Sequence, residues 1–77
     1  MARTILDVKG LICPLPVLRA NKALRPLASG DELEVLVTDP AAPADFDAFS
    51  ETTGHAIIES RESREDDGVF VVVLRKS

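Results

Sequence analysis

A chain of 77 residues has room for one domain with a thin core. An apolar share of 45 % beside a charged share of 29 % is the balance of a soluble globular domain, not of a disordered tail. The net charge of -4 disfavours direct nucleic-acid binding. A single cysteine rules out both an internal disulfide and a two-thiol redox motif, and one Cys with one His falls short of the four ligands of structural zinc.

Arg3 to Val8 reads as a strand, rich in β-formers and broken by Lys9-Gly10. Its neighbourhood lacks the apolar core of a signal peptide, and the longest strand-like apolar run, Val69 to Leu74, is far shorter than the roughly 20 residues that cross a bilayer. A cytoplasmic protein with no membrane association is the expectation. Pro14 to about Arg25 reads as a helix, since proline is favoured at a helix start and Val17, Ala20, Leu24 and Leu27 recur at helical spacing. Arg19, Lys22 and Arg25 fall mainly on the opposite side. Pro26 disfavours helical geometry at Arg25, so the helix should stop or kink there before Ser29-Gly30 closes the turn.

Glu32 to Thr38 alternates as an interior strand, with Leu33, Val35 and Val37 on one side and Leu36 on the other, and Asp39-Pro40 ends it. Ala41 to Thr53 reads as a second helix with a stripe of Ala42, Phe46, Phe49 and Thr53, acids toward its start, and Gly54 as its cap. His55 to about Arg61 is a third strand, Asp67-Gly68 a hairpin signal, and Val69 to Arg75 a fourth strand whose unbroken apolar run suits a position inside the sheet. The order strand, helix, strand, helix, strand, strand predicts an α+β fold. It is a two-layer α/β sandwich, βαβαββ, with a mixed four-stranded sheet and both helices on one face, formed by residues 1–77 as a single domain. The first strand-helix-strand unit should be a right-handed parallel crossover and the last two strands an antiparallel hairpin.

Chemistry concentrates in Gly10-Leu11-Ile12-Cys13-Pro14-Leu15-Pro16. If Cys13 caps the first helix, its sulfur faces free N–H groups and the positive end of the helix dipole. Residues 1–30 hold five basic side chains and one acidic, a balance of +4, and residues 31–77 a balance of -8. A basic rim around Cys13, with Lys9, Arg19 and Lys22 as partner contacts, would favour the thiolate and an acidic partner surface. Pro14 and Pro16 remove two first-turn donors, which limits that stabilisation, and supply rigidity instead. No Cys-His-Asn or Ser-His-Asp arrangement can be built on the single His55. A lone thiol can still accept a sulfur as a persulfide and pass it on. The bland alternative is a small buried cysteine, and a prolyl frame argues against it.

At these residues the sequence resembles the TusA/SirA-like sulfur-carrier family, whose hallmark Cys-Pro-x-Pro stands here as Cys13-Pro14-Leu15-Pro16, preceded by Asp7, Gly10 and Leu11. Asp39-Pro40-Ala41, Asp45, Gly54-His55 and the apolar last strand also fall where the family has them. The resemblance implies the same βαβαββ sandwich, no cofactor, and Cys13 as carrier of a persulfide sulfur, with Gly10, Pro14, Leu15 and Pro16 in support. It implies a cysteine desulfurase or rhodanese-like donor and a downstream acceptor protein in tRNA thiolation, molybdenum-cofactor biosynthesis or sulfur oxidation. It also implies a monomer that forms transient complexes: a sulfurtransferase-type carrier, not a stand-alone enzyme. Pro26 and Ser29-Gly30 depart from the family pattern, at the far end of the helix from Cys13. The rival expectation is a regulatory module that uses Cys13 as a redox sensor.

Overall fold

The structure is a computed structural model and describes residues 2–77; Met1 lies outside the described residues. Six elements follow one another: β1 Arg3–Asp7, α1 Leu15–Leu24, β2 Glu32–Val37, α2 Ala42–Thr53, β3 Ala56–Glu62 and β4 Phe70–Arg75. This is the βαβαββ order the sequence predicts, with element ends moved by a residue or so.

The sheet runs β1-β2-β4-β3. β1 and β2 are parallel, and β4 is antiparallel to both of its neighbours. The crossover through α2 therefore leaves a gap one strand wide, which β4 fills by turning back from β3. That placement explains the unbroken apolar run Val71 to Leu74. Val72 and Leu74 join the core beneath the helices. Val71 and Val73 are buried on the other face, where Val73 lies between Glu34 and Glu59 and Val71 between Leu36 and Arg61. The stems of these long side chains can cover a central strand with no second layer of helices.

The core joins both layers. Leu33, Val35 and Val37 of β2 and Val72 and Leu74 of β4 pack with Ala20 and Leu24 of α1 and with Ala42 and Phe46 of α2, all of them buried. Phe46 is the largest fully buried side chain and meets Phe49 edge-on at 6.3 Å between ring centres. The outer face of β1 and β2 carries an exposed charge ladder, Arg3 to Glu32 at 2.7 Å and to Glu34 at 3.2 Å, with Arg75 to Glu32 at 3.4 Å. Pairs so exposed add little to stability.

One backbone conformation and one side chain differ from the sequence expectation. Arg25 keeps helical angles (φ -55°, ψ -46°) despite the following proline, yet α1 still ends at Leu24. Pro26 brings no N–H to extend the ladder. The turn closes with short-range bonds from Arg25 N to Lys22 O (3.4 Å) and Leu27 N to Leu24 O (3.1 Å), and Lys76 Nζ donates to the Leu24 carbonyl at 2.8 Å. Thr53, expected on the buried stripe of α2, is exposed and bonds back to Phe49 O. Gly54 caps that helix as predicted, in the left-handed region at φ +84°.

Candidate functional site: a thiol at the mouth of an interhelical cleft

Cys13 lies in the loop between β1 and α1, at the end of the sheet where β1 and β2 both finish. The segment before it is tied down at nearly every residue. Val8 is buried and its N–H donates to Leu36 O at 2.9 Å. Lys9 N donates to Asp7 Oδ1 (3.0 Å), an Asx turn, and Gly10 turns the chain at φ +85°. Gly10 N donates to Thr38 Oγ1 at 2.9 Å, and Cys13 N donates to Asp39 Oδ2 at 2.6 Å. The other oxygen, Asp39 Oδ1, accepts from Ala41 N at 3.0 Å. Asp39 thus clamps the cysteine loop to the start of α2 with both of its oxygens. The two backbone bonds, that from Ala41 first, hold its carboxyl below the usual range.

The thiol itself is free and exposed, so the buried-cysteine alternative does not hold. It stands one residue before the helix cap, which is Pro14, and the peptide bond between them is cis. This corrects the expectation that Cys13 is the cap. The first-turn N–H of Leu15 is already spent on Ile12 O at 2.9 Å, and Pro14 and Pro16 have none to give.

The charge around the thiol is also the reverse of the basic rim expected. The Cys13 pKa is raised. The Asp45 side chain, placed to take a hydrogen bond from the S–H, comes first among the causes, then partial desolvation, then the negative charges of Asp45 and Asp39. Among the described residues, the charges that act on the thiol are these two carboxylates. Lys9 is turned to Asp7, 3.4 Å away. Arg19 and Lys22 are exposed on α1. Charge summed along the chain ignores the folding that brings two acids of the second half against the cysteine of the first.

Cys13, Pro14 and Val17 form one wall of a cavity of about 300 Å³, and Asp45, Ala48, Phe49 and Thr52 of α2 form the other. Its lining is apolar apart from the thiol, the Asp45 carboxylate and the Thr52 hydroxyl. Around the cysteine, Ile12 is 71 % exposed, Leu18 57 % and Leu15 42 %, an apolar collar that a domain free in water has no packing reason to display. Pro16 is instead buried and fixes the helix start to the core. His55 sits at the opposite end of the sheet, beside the last residues of β4. It is buried, its Nδ1 accepts from Ser77 N at 3.1 Å, and it has no place in the cysteine site.

Asp39 and Asp45 are the residues at this site that motif reasoning left without a role. The Asp-Pro-Ala run was a usable signal for Asp39, because an aspartate before a proline at a helix start commonly bonds the N–H two residues on. Nothing local marks Asp45, whose position beside the thiol depends on how α2 packs against α1.

The family profile described as sulfurtransferase TusA matches residues 4–76. The chain belongs to this family. It is 47 % identical over 72 residues to the sulfur carrier protein TusA of Allochromatium vinosum, covering 94 % of this chain and 91 % of that protein. The sulfur carrier protein TusA of Pseudomonas putida F1 is 39 % identical over 72 residues, with 94 % and 86 % covered. The crystal structure of a SirA-like protein from Desulfitobacterium hafniense superposes with a TM-score of 0.79 at 33 % identity, covering 97 % of this chain and 96 % of that one. The TusA/SirA-like resemblance and the α+β sandwich expected from the sequence both stand on these matches.

Proposed function

We propose that this protein is a sulfur carrier that holds a persulfide sulfur on Cys13 and passes it between a donor and an acceptor protein. The observation that carries the reading is a single exposed thiol, fixed by a clamped loop at the mouth of an apolar cleft, with the one histidine at the far end of the sheet. Such a site can present a sulfur, and its histidine lies outside the cleft, where it cannot pair with the thiol as in a Cys-His hydrolase. The names of the curated relatives support the same reading.

In this function a cysteine desulfurase or rhodanese-like protein supplies the sulfur. An acceptor in tRNA thiolation, molybdenum-cofactor biosynthesis or sulfur oxidation removes it. Residues 1–77 act as one cytoplasmic domain. The donor docks on the collar of Ile12, Leu15 and Leu18, whose burial supplies the association energy, and Arg19 and Lys22 on the same exposed helix orient it. Gly10, Pro14 and Pro16 act indirectly, by keeping the loop in one pose so that docking costs little ordering entropy. The raised thiol pKa weighs against the redox-sensor alternative, since sensor cysteines are accessible thiolates of low pKa.

The test is intact-mass spectrometry after incubation with a cysteine desulfurase and free cysteine. The expected result is a gain of one sulfur atom, abolished in Cys13→Ser and reversed by a thiol reductant. A wild-type chain that stays a plain thiol with each desulfurase and rhodanese of its host refutes the reading.

A further inference from the structure

One polar atom in the cleft lacks a partner. Asp45 Oδ2 is buried and accepts no hydrogen bond. A carboxylate oxygen withdrawn from water without a donor is costly, so a group that can supply one should be close by. Only two other lining side chains carry a hydrogen on a heteroatom, Thr52 and Cys13. The Thr52 hydroxyl already donates to Ala48 O at 3.0 Å. The thiol is the donor that remains.

We propose that Asp45 is the positioning residue of the sulfur-transfer reaction, accepting a hydrogen bond from the S–H of the empty carrier's Cys13 and so holding it as a thiol until a partner docks. The charged groups facing Cys13 are Asp45 from α2 and Asp39 from the loop between β2 and α2; α1 and the loop before it bring no cation to bear. The raised thiol pKa, caused first by Asp45, agrees with the geometry.

In loading, the Cys13 thiolate attacks the outer sulfur of a persulfide. The bond from Cys13 Sγ to that sulfur forms, and the bond between the donor's two sulfurs breaks. The donor sulfur leaves with the electron pair and takes up a proton equivalent to the one Cys13 released. The outer sulfur keeps its own hydrogen and its oxidation state, so no oxidant or reductant is consumed. Asp45 enters before this exchange, because the thiol must first leave its carboxylate. A free carrier is thereby kept slow toward small electrophiles.

The inference rests on the carrier reading only for the identity of the electrophile. It is therefore tested with a probe indifferent to sulfur, the rate of iodoacetamide labelling against pH. Asp45→Asn should lower the midpoint of that profile and raise the labelling rate near neutral pH several-fold, while Asp45→Glu, which keeps a carboxylate, should stay nearer wild type. A midpoint that is unchanged or higher in Asp45→Asn overturns the inference. Should that variant fail to fold, the wild-type Asp45 carboxyl resonance serves instead. It should show an inflection at the thiol's midpoint that vanishes in Cys13→Ala, and no such inflection is an equal refutation. Loading with a desulfurase and free cysteine is measured in parallel. A chain that shows the shift and never gains sulfur refutes the carrier reading alone, and one that gains sulfur without the shift refutes only the role of Asp45.

Discussion

Phe46→Ala should be the most damaging single truncation on α2. The ring is fully buried, packs into the core shared by both helices and the sheet, and meets Phe49, which lines the cleft. Removing a buried phenylalanine side chain in this way costs about 3–5 kcal/mol, transfer and cavity terms together. A domain of this length has only about 4–12 kcal/mol of stability to lose. At roughly 4–8 °C per kcal/mol for a small domain, the melting temperature should fall by about 12–40 °C. Leu18→Ala is the matched control. Leu18 is a large apolar residue on the other helix but 57 % exposed, and its loss should change stability by no more than about 0.5 kcal/mol.

Thermal melts of the three proteins by circular dichroism, with urea titrations to place them on one free-energy scale, decide the matter. If Phe46→Ala melts within a few degrees of wild type, the core does not rest on this ring, and the placement of α2 with its Asp45 loses its support. If Leu18→Ala falls as far as Phe46→Ala, the exposed collar is structural and its assignment as a docking surface fails.

Two further outcomes follow from the site. Leu18→Asp should reduce sulfur loading from a desulfurase by about tenfold or more, as loss of an apolar anchor does. Its iodoacetamide labelling should stay at the wild-type rate, and an equal loss in both assays would point to a misfolded loop. Asp39→Asn should destabilise the fold in a pH-dependent way. The folded carboxyl has its pKa below the unfolded value, so its contribution is complete above the unfolded pKa and is lost as pH falls through the folded one. The stability gap between wild type and Asp39→Asn should therefore narrow on acidification from neutral pH, and a gap constant in acid refutes the clamp.

The fold was legible because local signals agreed with one another. Alternation in Leu33, Val35 and Val37, helical spacing in Ala20 and Leu24, and Gly54 at a helix end each point to one structure, and each residue does what its pattern implies. The unbroken run from Val71 to Leu74 announced an interior strand, although not which strands would flank it. Thr53 was misplaced because its hydroxyl could satisfy itself on the Phe49 carbonyl at 2.7 Å and remain in water. The exposure of Cys13 before the first helix was legible too, from the Cys-Pro-Leu-Pro run. The electrostatics of the site were not. A helix start and five nearby basic residues argue for a thiolate, and the tertiary structure cancels both, the first by prolines and a donor already used, the second by turning Lys9 toward Asp7 and bringing Asp45 and Asp39 in.

That reversal bears on what kind of protein this is. A nucleophilic catalyst or an oxidant sensor gains from a thiolate that exists before its target arrives. Here the two nearest charges oppose the thiolate, and the helix beside it has little to offer in return. The apolar collar of Ile12, Leu15 and Leu18 supplies the missing half, because it gives a docked protein the means to exclude water from the cleft. Exclusion of water strengthens any cation the partner places near Asp45 and Asp39, and such a cation would weaken their hold on the thiol. Reactivity would then belong to the complex and not to the free chain. An empty carrier whose thiol is inert alone and reactive when docked can travel to its donor without being spent on small electrophiles, which a permanently activated one cannot.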